Sequence, residues 1–214
     1  MTMSKLQTTA PMFDISANYL CLDFANTLEN RAEAVPQELL HGYSDLVAWS
    51  VQAQILSKDV GERLKQEADQ QPGRAKAILV HAIALREVIY RVFKSIALEK
   101  QPNSQDLQTL NVYLATALSR ACIVPAGEHY AWSWDVQPET ELEQVLWPIV
   151  RSAADLLTSD RLSLTRLCAA EDCGWLFLDT SKNRSRRWCN MQSCGNRAKV
   201  RRHYVQKKKA EQKA

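Results

Sequence analysis

Two short cysteine pairs decide the fold of the last quarter of this chain, CAAEDC at residues 168–173 and CNMQSC at residues 189–194. Four residues separate the cysteines within each pair, and fifteen residues separate the two pairs. Zinc binds four thiolates tetrahedrally, and one tight turn can supply two of them. The pattern therefore predicts two metal knuckles that face each other across a hairpin and hold one Zn²⁺. The predicted ligands are Cys168, Cys173, Cys189 and Cys194.

Glycine follows the second cysteine of each pair, at Gly174 and Gly195. Knuckle turns favour glycine because they need φ > 0 or bring the backbone close to sulfur. Four thiolates leave zinc with no open position, so we expect a structural site and not a catalytic one. A module of roughly 45 residues has too little core to fold alone, and a metal supplies the missing stability. Four buried free thiols, redox-active disulfides and an iron–sulfur cluster are the alternatives to zinc.

The composition is that of a soluble globular protein, with 46% hydrophobic and 24% charged residues among 214. No run of about 18 uncharged apolar residues is present, so we expect no membrane span. We expect a cytoplasmic protein, because reduced thiols there favour metal over disulfides. Residues 1–13 read as a flexible N-terminus and not as a signal peptide. Cys21 and Cys122 are expected to be buried as small apolar residues.

Charge is divided unevenly along the chain, although the net charge is only +3. Residues 166–214 contain 13 Lys/Arg and 4 Asp/Glu, a net charge of +9, and the remaining 165 residues have a net charge of −6. An acidic body with a basic end is typical of a nucleic-acid binder. The sequence shows no HExxH helix, phosphate-binding glycine loop, nucleophile elbow or paired-carboxylate signature, so we do not expect an enzyme.

The basic residues cluster around the second cysteine pair. Arginine suits phosphate because its planar fork donates two hydrogen bonds and keeps its charge, and aromatic rings among such cations can stack on bases. A solvated face would explain the same charges, and Trp175 is expected only to cover the core of the zinc module. DNA is the favoured partner, with RNA and an acidic protein as alternatives. The candidate nucleic-acid contacts are Arg184, Arg186, Arg187, Trp188, Asn196, Arg197, Lys199, Arg201 and Arg202.

The rest of the chain predicts a mainly α fold with a small β-hairpin. Apolar residues recur at helical spacing over most of the chain, whereas residues 130–136 alternate between apolar and polar side chains, the pattern of a half-buried strand. Helices are predicted at 18–31, 37–56, 72–98, 104–121, 138–159 (kinked at Pro148) and 196–209, and strands at 122–124, 130–136, 162–167 and 175–178. We expect a helical domain over 14–160, a four-cysteine finger with a basic helix over 161–205, and a basic tail over 206–214. Helix 72–98 could form a homodimer interface, although an intramolecular core explains its pattern equally well.

A polar stripe interrupts the first predicted helix, at Asp23, Asn26 and Thr27. If these three side chains face solvent, they indicate nothing about function. Facing inward, the stripe would be either a structural hydrogen-bond network or the wall of a pocket for a small-molecule effector. Arg31 is expected to pair with Asp23 as part of the structural alternative.

Two stretches also resemble known families. CGWLFLDTS at 173–181, RRWCNM at 186–191 and CGNRAKVRRHY at 194–204 resemble the CGNR-type zinc finger, and LCLDFANTL at 20–28 resembles the opening of the ABATE domain. The resemblance spans roughly residues 14–205 and implies a stress-induced bacterial regulator of transcription with a ligand-sensing helical body and a DNA-binding finger. It carries zinc ligation onto the four cysteines, and nucleic-acid contact onto Arg186, Arg187, Asn196, Arg197, Lys199, Arg201 and Arg202.

Overall fold

The computed structural model describes residues 13–211, with only the backbone at residues 138–140, 202–203, 205–207 and 209–211. The described residues form seven α-helices and six short strands, which confirms the mainly α fold with small β elements. The expected flexible N-terminus lies outside the described residues except for Phe13, and the tail lies outside them from residue 212.

The helices and strands alternate in blocks along the chain. The helices are α1 Leu20–Ala25, α2 Tyr43–Gln52, α3 Lys58–Gln70, α4 Pro72–Ala97, α5 Ser104–Leu118, α6 Trp147–Leu157 and α7 Asn196–Glu211. The strands form three antiparallel pairs, β1 Leu28–Glu29 with β2 Gln37–Glu38, β3 Ala121–Ala126 with β4 His129–Trp134, and β5 Thr165–Leu167 with β6 Leu176–Leu178. Short 3₁₀ segments, Pro138–Val145 and Asp160–Leu164, precede α6 and β5.

Helix α4 is the central element of the fold. It packs against α1, α2, α3 and α5 and against strands β5 and β6. Its apolar positions, among them Ile78, Leu85 and Ile89, are buried within the same chain, as helical periodicity predicts. Leu176, Phe177 and Leu178 of β6 are completely buried in the same core. The cysteine module therefore shares the core of the helical body and does not depend on a core of its own.

Two predicted helices are shorter in the structure. α1 ends at Ala25, where the prediction extended to residue 31, because the chain turns at Asn26 and enters β1. α2 begins only at Tyr43, since the Asp45 carboxylate accepts the backbone N–H groups of His41 and Gly42 and fixes the start there.

Helix α3 had no counterpart in the prediction. It buries only Gly61 and Leu64, so it has little apolar signal, and Ser57 caps it by accepting the N–H of Val60.

The predicted starts of α4 and α5 are close to those observed. α5 starts at Ser104, and Asn103 caps it by accepting the N–H of Gln105 at 2.7 Å. Pro148 lies in the first turn of α6 and starts this helix instead of kinking a longer one, which corrects the prediction. Proline is tolerated there because the first-turn N–H groups have no helical partner.

The predicted hairpin is present as β3 and β4, with a register from Ala121↔Trp134 to Ala126↔His129. Its expected half-burial is wrong, because Tyr130 and Trp132 are 77% and 56% exposed. Cys122 on β3 is half-buried and not buried as expected, whereas Cys21 is completely buried. Within the described residues, no helix combines the length and apolarity needed to cross a membrane.

Candidate metal centre and basic surface

The four predicted ligands come together in space. Their Sγ atoms all lie within 4.8 Å of one another, and all four residues are buried. Cys189 Sγ lies 3.6 Å from the sulfurs of both Cys173 and Cys194. A tetrahedral zinc ion with Zn–S bonds of about 2.3 Å would place its sulfurs about 3.8 Å apart. The four thiols therefore have the spacing that one tetrahedral ion requires.

The thiols influence one another strongly. Hydrogen bonding with the Cys173 thiol lowers the pKa of Cys168 to about 7, and hydrogen bonds from the other thiols, first that of Cys168, hold the pKa of Cys194 far below its usual range. The same contacts raise the pKa of Cys173 and Cys189, because a thiolate beside them keeps their protons on. A dication would allow all four to ionise together, which is the donor set that zinc takes in structural sites.

The first knuckle is the turn between β5 and β6. Cys168 donates its N–H to the Trp175 carbonyl at 2.8 Å, and Gly174 adopts φ 70. A Cβ at Gly174 would lie 3.1 Å from Cβ of Arg31, so this position requires glycine for its conformation and is also crowded by the body.

The second knuckle leads directly into α7. The Asn190 side chain accepts the N–H of Gln192, and Gly195 donates its N–H to the Asn190 carbonyl at 3.0 Å. A Cβ at Gly195 would lie 2.9 Å from Sδ of Met191, but the exposed Met191 side chain can move aside, so this position does not require glycine in the way Gly174 does. The N–H of Cys189 points to the Cys168 sulfur at 3.4 Å and so links the two knuckles.

The helical body holds the first knuckle through backbone atoms. Arg31 donates its backbone N–H to the Cys173 carbonyl, and the Tyr90 hydroxyl donates to the Gly174 carbonyl, both at 3.0 Å. Trp175, which is buried as expected, donates its indole N–H to the Leu28 carbonyl at 3.0 Å. Tyr90 and Leu28 were missed from the sequence because nothing local marks contacts between residues this far apart in the chain.

The Arg31 side chain contacts Glu87, with NH1 2.8 Å from Oε2, and stacks 3.8 Å over the Tyr90 ring. The expected pairing of Arg31 with Asp23 is therefore wrong. Glu87 also accepts from Arg86, whose side chain is 2% exposed and makes a bidentate contact with Glu38. This ionic network lies beside the first knuckle and fixes the loop that carries Arg31.

The polar stripe Asp23, Asn26 and Thr27 faces inward and is buried. Asn26 bonds both backbone groups of Leu176, donating to its carbonyl at 2.8 Å and accepting its N–H at 3.0 Å. Thr27 donates to the Phe24 carbonyl, and Asp23 accepts the N–H of Ala17 at 2.8 Å. Burial raises the pKa of Asp23 to about 7. These contacts favour the structural alternative, because each of the three side chains already has an intramolecular partner.

Arg186 differs from the other candidate nucleic-acid residues. Its Nε donates to the Trp188 carbonyl at 2.9 Å, and NH2 donates to the carbonyls of Ser16, at 3.2 Å, and Cys189. Its guanidinium also stacks on the Phe177 ring, with 4.5 Å to the centroid. The geometry gives Arg186 a structural position between the body and the second knuckle.

Two arginines of α7 form ion pairs with the first knuckle. Arg197 lies 3.7 Å from Asp172 and also 3.2 Å from the Cys194 sulfur, and Arg201 lies 2.6 Å from Glu171. Both side chains remain more than half exposed. The loop between Cys168 and Cys173 therefore presents carboxylates to the basic face of α7.

The other candidate cations are open to solvent. Arg184, Arg187 and Lys199 are exposed, as is Asn196, and Arg187 lies 5.5 Å from the centroid of the half-buried Trp188. The side chain of Arg202 lies outside the described residues. One continuous face of the second knuckle and α7 is formed by Gln192, Ser193, Asn196, Arg197, Val200, Arg201, Tyr204 and Lys208.

Comparison with known families accounts for this arrangement. Residues 18–160 match the ABATE family, described as a putative stress-induced transcription regulator. The chain belongs to the ABATE family. Residues 165–207 match the CGNR zinc finger, so all four clustered cysteines of this ABATE protein fall inside a zinc-finger match. A search of curated proteins found no match. Both families expected from the sequence are confirmed, and neither is an enzyme family.

Proposed function

We propose that this ABATE protein is a zinc-dependent transcription regulator whose CGNR finger binds DNA. The observation that carries the proposal is the position of α7, which begins two residues after Cys194 and carries an exposed basic face. Four thiols with the spacing of one tetrahedral ion lie at the base of that helix. A metal bound there would fix the direction in which the arginines of α7 project.

Zinc is the proposed ion, since the donor set is four cysteine sulfurs in a zinc-finger match. Bound zinc would offset two of the four negative charges of the thiolates and close the second knuckle against the first. Arg197 adds to this arrangement, because its NH2 group contacts the Cys194 sulfur at 3.2 Å. The chain itself therefore positions one arginine of α7 relative to the metal ligands.

DNA contact is assigned to the exposed cations and to the start of α7. Arg184, Arg187, Lys199 and Arg201 would neutralise phosphates, and Asn196 would present its side chain to a base edge. Engagement of about five phosphates would give a slope of about −4.5 for log affinity against log salt. The helical body over 14–160 has a net negative charge and would keep DNA on the finger, which extends over 161–205, and on the tail.

Effector sensing by the body forms part of the same proposal. The side chains of Asp23, Asn26 and Thr27 already have intramolecular partners, so we assign the effector site to a cleft of ≈ 570 Å³ between α2, α3 and α4. Tyr43, Leu79 and Ile83 line it, with Lys76 and His41 at its polar side. This volume lies in the range of small-molecule sites.

The test is fluorescence anisotropy of the zinc-loaded protein with labelled random duplex DNA across a salt series. An Arg187→Ala/Lys199→Ala variant removes two exposed finger cations, and a Lys58→Ala/Lys100→Ala variant removes two exposed body cations. We expect the salt slope of the finger variant to become shallower by about 2, because each lost phosphate contact changes it by about 0.9. The body variant, which has the same net charge, should keep the slope of the unaltered protein.

Two outcomes would overturn the DNA assignment. Absence of binding at low salt, with zinc present at one ion per chain, would favour an acidic protein as the partner of the finger. Stronger binding to single-stranded RNA in competition would favour an RNA-binding protein, in which Trp188 stacks on unpaired bases.

A further inference from the structure

The β3–β4 hairpin presents one strongly apolar face. Directly opposed residues of an antiparallel pair project to the same side, and the side alternates along each strand. In the observed register, Ile123 is opposite Trp132 and Pro125 is opposite Tyr130. One face is therefore formed by Ala121, Ile123, Pro125, Tyr130, Trp132 and Trp134.

Only the base of this face is covered by the body. Trp134 packs against Trp147 of α6, with 5.8 Å between ring centroids, and the Arg151 guanidinium lies 4.1 Å from the Trp132 ring. Farther out, Ile123 and Tyr130 are 63% and 77% exposed. A contiguous exposed patch of this kind marks an interaction surface in soluble proteins.

The hairpin also has open strand edges. Among the described residues, β3 and β4 pair only with each other. β3 contains Pro125, which has no N–H for a further strand, whereas β4 contains no proline and no Lys or Glu that would discourage pairing. A lone two-stranded hairpin is marginally stable in water, so pairing along β4 would stabilise it.

Charge decides which partner this surface fits. Across residues 121–134, Glu128 is the only Asp, Glu, Lys or Arg, in a chain with 24% charged residues. The hairpin itself therefore offers no charge on this face to phosphate or to a strongly charged protein, and Arg151, which lies over Trp132, is paired with Asp155 at 3.6 Å. The face is complementary to itself, because apolar side chains cover apolar side chains and an antiparallel strand edge pairs with its own copy about a two-fold axis.

We infer that the hairpin is the contact between two copies of this chain, with β4 of one copy antiparallel to β4 of its partner. The dimer then contains a four-stranded sheet across the interface, in which the apolar faces of the two copies lie on the same side and Tyr130 and Trp132 of one copy contact those of the other across the β4–β4 seam. This inference does not depend on DNA binding, because it uses no residue of the finger.

The test is sedimentation velocity of the full zinc-loaded chain, without nucleic acid, over about three decades of concentration. An Ile123→Lys/Tyr130→Lys variant places two charges on the hairpin face. A Val35→Lys/Val112→Lys variant places two on exposed apolar positions elsewhere, 84% and 67% exposed. We expect twice the mass of one chain for the unaltered protein and the control, and a dissociation constant at least about 100-fold higher for the hairpin variant.

Hydrogen exchange provides an independent readout. The amides of residues 129–134 should gain protection as the concentration of the unaltered protein rises, and those of the hairpin variant should not, with zinc content and circular dichroism unchanged. A one-chain mass at every concentration, or a hairpin variant that still dimerises, would overturn the inference.

Discussion

The two knuckles of the finger each contribute two cysteines to the sulfur cluster but are held very differently. The first is bound to the helical body through Arg31, Tyr90, Leu28 and Asn26, which bond the backbone or side chain of residues 173–176. Among the described contacts, the second is joined to the body through Arg186, which reaches Ser16, and Asn190, which contacts Asp14. The second knuckle also carries α7, whose face is exposed.

This difference indicates which part of the finger a bound metal would stabilise. The first knuckle shares the core of the body through β6, so protein contacts stabilise it without the ion. The second knuckle has few such contacts and is closed chiefly by the four sulfurs. Metal-binding energy should therefore appear mainly as order in the second knuckle and in α7, the part of the finger that we propose contacts DNA.

The largest expected effect is from Cys189→Ser. This change removes one of four ligands, so we expect zinc to be lost, amide protection to fall in α7, and DNA binding to disappear. Because the first knuckle is docked on the body, the free energy of unfolding should fall by less than zinc contributes to isolated fingers, which is about 10–16 kcal/mol. Zinc stoichiometry, hydrogen exchange and chemical denaturation measure the three outcomes.

Cys122→Ser is the matched control, because Cys122 is a half-buried cysteine on β3, away from the sulfur cluster. It should keep zinc and DNA binding. If Cys189→Ser removed protection from α4 and β6 as strongly as from α7, the two knuckles would not differ in the way the structure indicates.

An intermediate effect is expected at the docked side, from Asn26→Ala. Both backbone groups of Leu176 would lose their partner in the core, and each buried unsatisfied group costs about 1–3 kcal/mol. The free energy of unfolding from urea titration should therefore fall by about 3 kcal/mol. Tyr90→Phe removes one hydrogen bond at the same knuckle and should cost about 1 kcal/mol.

An unchanged stability of the Asn26→Ala protein would contradict the structural role of the polar stripe. The amide of Asn26 would then be available for a ligand, and the pocket alternative for Asp23, Asn26 and Thr27 would regain its support.

The sequence-based predictions were confirmed for features that depend on residues close together in the chain. Cysteine spacing identified the four cysteines whose sulfurs cluster, and apolar periodicity identified α4 almost to its ends. The sequence-based predictions were wrong where contacts between residues far apart in the chain determine the local structure. Asn26 and Leu176 are 150 residues apart, and their pairing accompanies the early end of α1. Local charge likewise gave no sign that Arg186 is held by backbone carbonyls whereas its neighbour Arg187 is exposed.

The smallest effect is expected from Glu171→Gln at the tip of the first knuckle. Glu171 pairs with Arg201 at 2.6 Å, but its side chain is 81% exposed, so the pair is worth little in the folded protein alone. Phosphate must compete with this carboxylate for the same guanidinium, and removing the charge should therefore raise DNA affinity by about two- to five-fold at low salt. The gain should fade as salt rises, because both the pair and the phosphate contact are screened. Glu99→Gln changes the net charge equally on an exposed site at the end of α4 and should leave affinity unchanged. Equal gains from the two variants would mean that overall charge governs binding, whereas a gain confined to Glu171→Gln would show that the docked knuckle tunes the cations of the exposed one.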